Sequence, residues 1–180
     1  ALGKTIDEAL DDPQVRFNEM LIELDDPFLG RVSQMGVPIQ LSATPGAVTG
    51  PRPVPGRHTE EVLSGLDNED PSVDGPESTH TAVMDPPLKG IKVLEMTNLI
   101  AGPTAGKLLA DLGAEVTKLE PPQGDISRAL GRSSFVYLNN DKRAVCFDTR
   151  TLEGKEIAQK LAAEADILLA NLRPGATDRM

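Results

Sequence analysis

The sequence predicts an α/β fold over residues 90–180, a Rossmann-like parallel sheet with flanking helices, and three observations carry that prediction. Residues 91–96 form a short apolar run suited to a buried strand. Ala105, Leu108, Leu109 and Leu112 then fall at i, i+3, i+4 and i+7, one apolar stripe of an amphipathic helix. Residues 114–119 form a second strand-like run. Strand, helix and strand within about 30 residues is the length of a parallel βαβ unit with a right-handed crossover.

Local signals agree with these elements. Pro103 opens the helix where a missing N–H costs nothing, and Gly113 supplies its stop. The pattern then repeats. Residues 144–147 read as a third strand, 152–165 as a helix burying Ile157, Ala158, Leu161 and Ala162, and 166–170 as a fourth strand. A further helix begins after Pro174-Gly175. Such alternation builds a doubly wound sheet. Its ligands bind beyond the carboxyl ends of the strands, where the βα loops gather.

Residues 1–66 have a different character. A short acidic helix at 5–10 is followed by Pro13 and by strand-like runs at 20–24, 30–34 and 38–41. Pro45, Pro51, Pro53 and Pro55 keep residues 44–57 extended. Thr59 caps a terminal helix through Glu60, Glu61, Val62 and Leu63. The apolar residues of this piece are too few and scattered for it to stand alone. Residues 67–89, rich in Pro, Gly and Ser, read as an acidic flexible linker that cannot bury enough surface to offset the entropy of ordering it.

Charge and composition narrow the functions. The net charge is −10, and residues 67–88 alone hold six acidic side chains and no Lys or Arg. With four Phe, one Tyr and no Trp, the chain lacks both the basic field and the stacking platform of a nucleic-acid binder, and it does not suit an anionic membrane surface. The rest is only mildly acidic, which leaves room for an anionic ligand. A single cysteine, Cys146, rules out an internal disulfide framework and fits a reducing compartment. No apolar run approaches the roughly 20 residues that cross a bilayer, and no secretory signal opens the sequence. A cytoplasmic piece of a larger protein is the expectation.

Candidate chemistry lies in the carboxyl-end loops. The first reads Asn98-Leu99-Ile100-Ala101-Gly102-Pro103. Its small residues let a ligand approach the backbone, and the following helix offers N–H groups to a phosphate. Taken alone, the same residues are more often an ordinary tight turn. The dinucleotide fingerprint is absent, because Gly102 and Gly106 stand four apart with Pro103 between them. Glu120 at the end of the second strand is therefore weak support for a nicotinamide cofactor. Arg150 sits at a carboxyl end beside a helix N-terminus, an arrangement suited to pyrophosphate. Arg173 and Arg179 flank a third anion site, whereas Lys142 and Arg143 read as solvated charges beside a strand. Cys146 reads as a core residue. His58 and His80 have no neighbouring Cys or second His, so no metal site is expected. There is no nucleophile elbow or Ser/His/Asp arrangement.

Taken together these blocks resemble a known family. Gly90-Ile91-Lys92-Val93-Leu94-Glu95, Ala101-Gly102-Pro103, Leu109-Ala110-Asp111-Leu112-Gly113-Ala114-Glu115-Val116 and Lys118-Leu119-Glu120-Pro121-Pro122 are similar to the opening of the family III CoA-transferases (CaiB/BaiF type). Gly124-Asp125, residues 139–143 and 151–155, Asn171 and Arg173-Pro174-Gly175-Ala176 continue the similarity. That family includes formyl-CoA and carnitine CoA-transferases and alpha-methylacyl-CoA racemases. The resemblance implies coenzyme A or an acyl-CoA as substrate, a carboxylic acid as the second substrate, and an interlocked homodimer. It implies CoA contacts at Leu99, Ile100, Ala101, Phe147, Arg150, Asn171, Leu172, Ala176 and Arg179. Arg150 stands where relatives often have Lys, and Pro121 where some place Arg. In the family an aspartate attacks the acyl-CoA to form a mixed anhydride. That residue lies downstream of the Asn-x-x-Pro-Gly block, beyond Met180, so this segment alone is expected to be inactive and to hold no catalytic residue. A racemase and a non-catalytic CoA-binding or assembly module are the alternatives.

Residues 1–66 resemble the family's other end, through Asp12-Pro13-Gln14-Val15-Arg16, Gly30-Arg31-Val32, Pro38-Ile39-Gln40-Leu41-Ser42 and Gly56-Arg57-His58-Thr59-Glu60-Glu61-Val62-Leu63. The expected organisation is a tandem-fusion junction: an irregular C-terminal-type segment (1–66), the linker (67–89), and the CoA-binding α/β part of a second unit (90–180).

Overall fold

The computed structural model describes residues 3–66, 85–130 and 132–177. The chain begins with two short helices, α1 (Ile6–Leu10) and α2 (Pro13–Phe17), and a hairpin of β1 (Leu21–Asp26) and β2 (Gly30–Met35). An extended stretch leads to α3 (Thr59–Leu66). The second part runs β3 (Lys92–Met96), α4 (Ala101–Asp111), β4 (Glu115–Glu120), α5 (Ser127–Leu130), α6 (Arg132–Leu138), β5 (Arg143–Cys146), α7 (Leu152–Glu164) and β6 (Ile167–Ala170). No helix among the described residues is long and apolar enough to cross a membrane.

Capping residues account for the first helices. Thr5 and Glu8 form a reciprocal capping box on α1. Asp12 caps α2 with Pro13 at its first turn, so this proline starts a helix instead of ending one. The two strand-like runs that follow pair as an antiparallel hairpin, from Leu21 opposite Met35 to Asp26 opposite Gly30. The third run, 38–41, forms no strand.

In the second part all four strands are parallel, in the order β5-β4-β3-β6. The chain therefore reverses its direction of winding between β3 and β6, where doubly wound sheets place their ligand crevice. The two faces of the sheet differ in chemistry. One buries Leu94, Met96, Leu119 and Val145 against Ala158 and Leu161 of α7 and Val62 of α3. The other buries Val93 and Val116 against Ala110, then turns charged toward the carboxyl ends, where Glu95 lies opposite Lys118.

Helix α4 presents Gly102, Pro103, Gly106, Lys107, Ala110 and Asp111 to the interior, while the leucines of the expected stripe are only half-buried. The small residues set how close the helix comes, and Lys107 is buried because its Nζ meets Asp111 Oδ2 at 2.5 Å on the next turn.

Residues 3–66 dock on the α/β part. His58 donates its N–H to the Ala144 carbonyl (3.0 Å), Ala144 N donates to His58 Nδ1 (3.1 Å), and Cys146 N donates to Thr59 Oγ1 (3.0 Å). These bonds close the outer edge of β5, whose N–H and C=O groups would otherwise be unpaired. A buried ion pair between Arg52 Nε and Asp26 Oδ2 (2.7 Å) fixes the hairpin to the extended stretch, and Gln34 Nε2 donates to Asn140 Oδ1 (2.9 Å). Of the linker expected at 67–89, residues 67–84 lie outside the described residues. Residues 85–89 turn against α4, and Leu88 packs on the second core cluster.

Candidate functional site

The carboxyl ends of β3, β4, β5 and β6 open into a cavity of about 790 Å³. Residues 96–98, 119–126, Arg128, Ala129, 147–150 and Leu172 line it. Three residues picked out by the resemblance, Phe147, Arg150 and Leu172, are among them. Leu99, Ile100, Ala101, Asn171 and Ala176 are not, and Arg179 lies outside the described residues. Asn171 still shapes the opening. Its Oδ1 accepts Asn98 N (3.0 Å) and its Nδ2 donates to Asn98 O (2.9 Å), which ties the β3 loop to the β6 loop. Leu99 and Ile100 are exposed beside this junction, with Leu99 at a left-handed φ of 64°.

A buried charge network underlies the cavity. Lys118 Nζ meets Glu95 Oε1 (3.0 Å), Asp125 Oδ2 (2.9 Å) and the Thr97 carbonyl (2.8 Å). Lys142 Nζ meets Glu95 Oε2 (2.7 Å), the Pro103 carbonyl (2.9 Å) and Asn139 Oδ1 (3.1 Å). Two ammonium groups and two carboxylates thus neutralise one another out of water, the condition on which buried charge is tolerated. Burial pulls Lys142 down to about 8, against the attraction of Glu95. Burial works to raise Asp125, but Lys118 and Ser127 outweigh it and hold that carboxyl below the usual range. Lys142 is therefore not the solvated charge its sequence position indicates. The readable signal was a charge at inward-facing positions of apolar strands, Glu95 and Lys118.

Two glycines of α4 serve this network. A Cβ on Gly102 would stand 2.3 Å from Thr97 Cβ, and one on Gly106 would stand 1.9 Å from Glu95 Oε2. Their smallness seats α4 on the strand, which decides for packing over ligand approach at these two positions.

Two arginines line the cavity, and they are placed differently. Arg128 is nearly buried: Nε donates to Glu120 Oε2 (2.7 Å), Nη2 to Glu120 Oε1 (2.6 Å), and Nη1 to the Pro53 carbonyl (3.0 Å). The Glu120 carboxylate is occupied by this fork and by Asp125 N (2.7 Å), so it does not serve as the ribose-binding acid of a dinucleotide site. Arg150 is open to solvent, with its side chain 82% exposed and Nη2 2.8 Å from Asp148 Oδ2. The Arg150 hydrogen bonds take Asp148 down to about 2. Beside it α7 begins, capped by Thr151 Oγ1 accepting Gly154 N (3.0 Å). The solvent-exposed guanidinium lines the mouth and the positive end of a 13-residue helix begins two residues further on, an arrangement suited to phosphate.

Comparison with known proteins agrees with this architecture. The family model described as CoA-transferase family III matches residues 2–59 and 88–180. A formyl-CoA:oxalate CoA-transferase of Streptomyces avermitilis is 46% identical over 100 residues, covering 52% of this chain and 24% of that protein. One from Escherichia coli O6:H1 is 45% identical over 105 residues, covering 54% and 25%. The chain thus spans about a quarter of the length of the curated relatives it matches. Among solved structures, a hypothetical protein from Mycobacterium tuberculosis matches with 41% identity and a TM-score of 0.51, over 52% of this chain and 26% of that one. A CaiB/BaiF family protein from Brucella suis matches with 38% identity and a TM-score of 0.51, over 53% and 28%. The chain belongs to CoA-transferase family III.

Proposed function

We propose that this chain is the coenzyme-binding part of a CoA-transferase, and that it holds the CoA portion of an acyl-CoA at the carboxyl edge of its parallel sheet. One observation carries the reading: a cavity at the strand ends whose mouth pairs the exposed Arg150 with the N-terminus of α7. Phosphates meet Arg150 and Arg179, Phe147 and Leu172 supply apolar contact, and Leu99, Ile100, Ala101, Asn171 and Ala176 form the adjoining edge. The second substrate is a carboxylic acid, and the working form is a cytoplasmic homodimer.

In this reading the segment binds and orients, and the attacking carboxylate comes from elsewhere in the full protein. The aspartates lining the cavity support that division. Asp125 is buried against Lys118 and Ser127, and Asp148 is held by Arg150. Neither is free to form an anhydride with an acyl group.

Calorimetry with CoA and with dephospho-CoA tests the assignment. Each charge-assisted hydrogen bond contributes roughly 1.5–3 kcal/mol, so Arg150→Ala is expected to weaken CoA by about tenfold or more. Added salt weakens wild-type binding in the same direction. Unchanged CoA affinity in Arg150→Ala would remove Arg150 from the site.

A further inference from the structure

Nothing in the binding scheme above uses residues 47–62, yet they reach the cavity wall. They form a strap anchored at one end by Ala47 N on the Asp111 carbonyl at the end of α4 (2.9 Å), and at the other along the outer edge of β5 by the His58 bond to Ala144 and by Thr59 Oγ1 on Cys146 N (3.0 Å). At Pro53 the strap carbonyl accepts Arg128 Nη1, while the rest of that guanidinium grips Glu120 at the end of β4. The fully buried Phe135 ring reinforces the link. Arg128 from the cavity wall stands 3.9 Å from its centroid, and Arg52 from the strap stands 5.7 Å from it.

The nitrogens of Arg128 are thus committed to Glu120 and Pro53, which makes it a positioning residue and not a phosphate ligand. We infer that the strap is a working part of the cavity: Arg128 couples strap docking on β5 to ligand binding at the carboxyl edge. The inference rests on the reading that an acyl-CoA binds there. If the ligand fits only the wall that a docked strap braces, then linkage requires that bound ligand hold the strap down by the same factor.

The chain carries its own reporter. Cys146 is its single cysteine, is half-buried, and lies under the strap, where a Cβ on Gly56 would come within 3.6 Å of its Sγ. Its alkylation rate follows lifting of the strap.

The experiment alkylates the whole 180-residue chain with N-ethylmaleimide at fixed pH, read by mass spectrometry, with and without saturating acetyl-CoA. Acetyl-CoA has no free thiol to consume the reagent. Calorimetry gives its affinity in parallel. Acetyl-CoA is expected to slow Cys146 alkylation at least about fivefold, the lower end of ordinary coupling between sites. In Arg128→Met the affinity falls, and ligand at saturation no longer slows alkylation. Arg128→Lys, which keeps a charge against Glu120 but lacks the fork that also reaches Pro53, gives the same loss of protection if the Met variant does not fold. Binding without protection in the wild type overturns the coupling and leaves the site reading standing. Protection that persists in either saturated variant also overturns it, because the ligand then shields the thiol directly. Absence of any binding heat overturns both.

Discussion

His58 accepts the Ala144 amide through Nδ1, so one imidazole holds part of the β5 edge. Its pKa lies below the ordinary 6.5, first because it is partly buried and then because Arg143 and Arg57 repel a further positive charge, with Glu61 opposing them. The neutral ring belongs to the folded state. Its contribution is therefore complete above pH 6.5 and is lost as pH falls through the lower folded value, where the unfolded chain takes up the proton first. Urea unfolding of the wild type is expected to show falling stability as the pH drops below about 6.5. His58→Gln, whose side chain does not titrate, should show a smaller loss over the same range. Equal pH dependence of the two proteins would contradict this role. Residues of this kind are hard to read in a sequence. His58 looks isolated there, and Lys142 looks solvated, because their partners Ala144 and Glu95 lie on strands that no local pattern connects to them.

At the level of elements, the close seating of α4 on β3 makes a sharp distinction between two glycines. A Cβ on Gly106 would collide with Glu95 Oε2, whose other neighbour is the buried Lys142 ammonium. Gly106→Ala is expected to destabilise the chain by about 1–3 kcal/mol, the range for forced overpacking of a tight core. Gly65, in α3, has nothing within 4 Å of its Cβ position. Gly65→Ala is expected to be neutral or to stabilise by up to about 1 kcal/mol through helix propensity. Chemical denaturation of both variants checks the pair, and equal effects would place the packing argument in error. The strands and long helices were legible because each repeats an apolar period over several residues. Helices α2, α5 and α6 were not. The first hides behind Pro13, and the other two are short segments held by tertiary bonds, such as Arg128 to Glu120. The buried face of α4 was misjudged for a related reason. Its leucines mark a period, but Gly102, Gly106 and Ala110 decide which side can approach the sheet.

Over the whole molecule, the docked segment and the α/β part share one interior. Val62 joins the main apolar cluster, and the Asp26–Arg52 pair and the Gln34–Asn140 bond are buried between the layers. The sequence marks residues 1–66 as unable to stand alone, and the bonds to β5 show where their exposed groups go. Where they dock was not legible, because contacts such as Thr49 to Asp141 and His58 to Ala144 cross from one part of the chain to the other without any periodic signal. The central claim is that an acyl-CoA binds at the carboxyl edge of the parallel sheet. The chain offers a competing cavity of about 870 Å³ among α2, β1 and residues 37–48, lined by Phe17, Ile22 and Val37, which makes the claim testable by location. Amide hydrogen exchange with and without acetyl-CoA reads that location directly. Slowed exchange at residues 123–129, 147–154 and 171–172, with any further slowing limited to the strap amides and the β5 amides they cover, such as His58, Ala144 and Cys146, is the predicted result. Slowed exchange at residues 16–22 and 37–48 instead, or no change anywhere at saturating ligand, would contradict it.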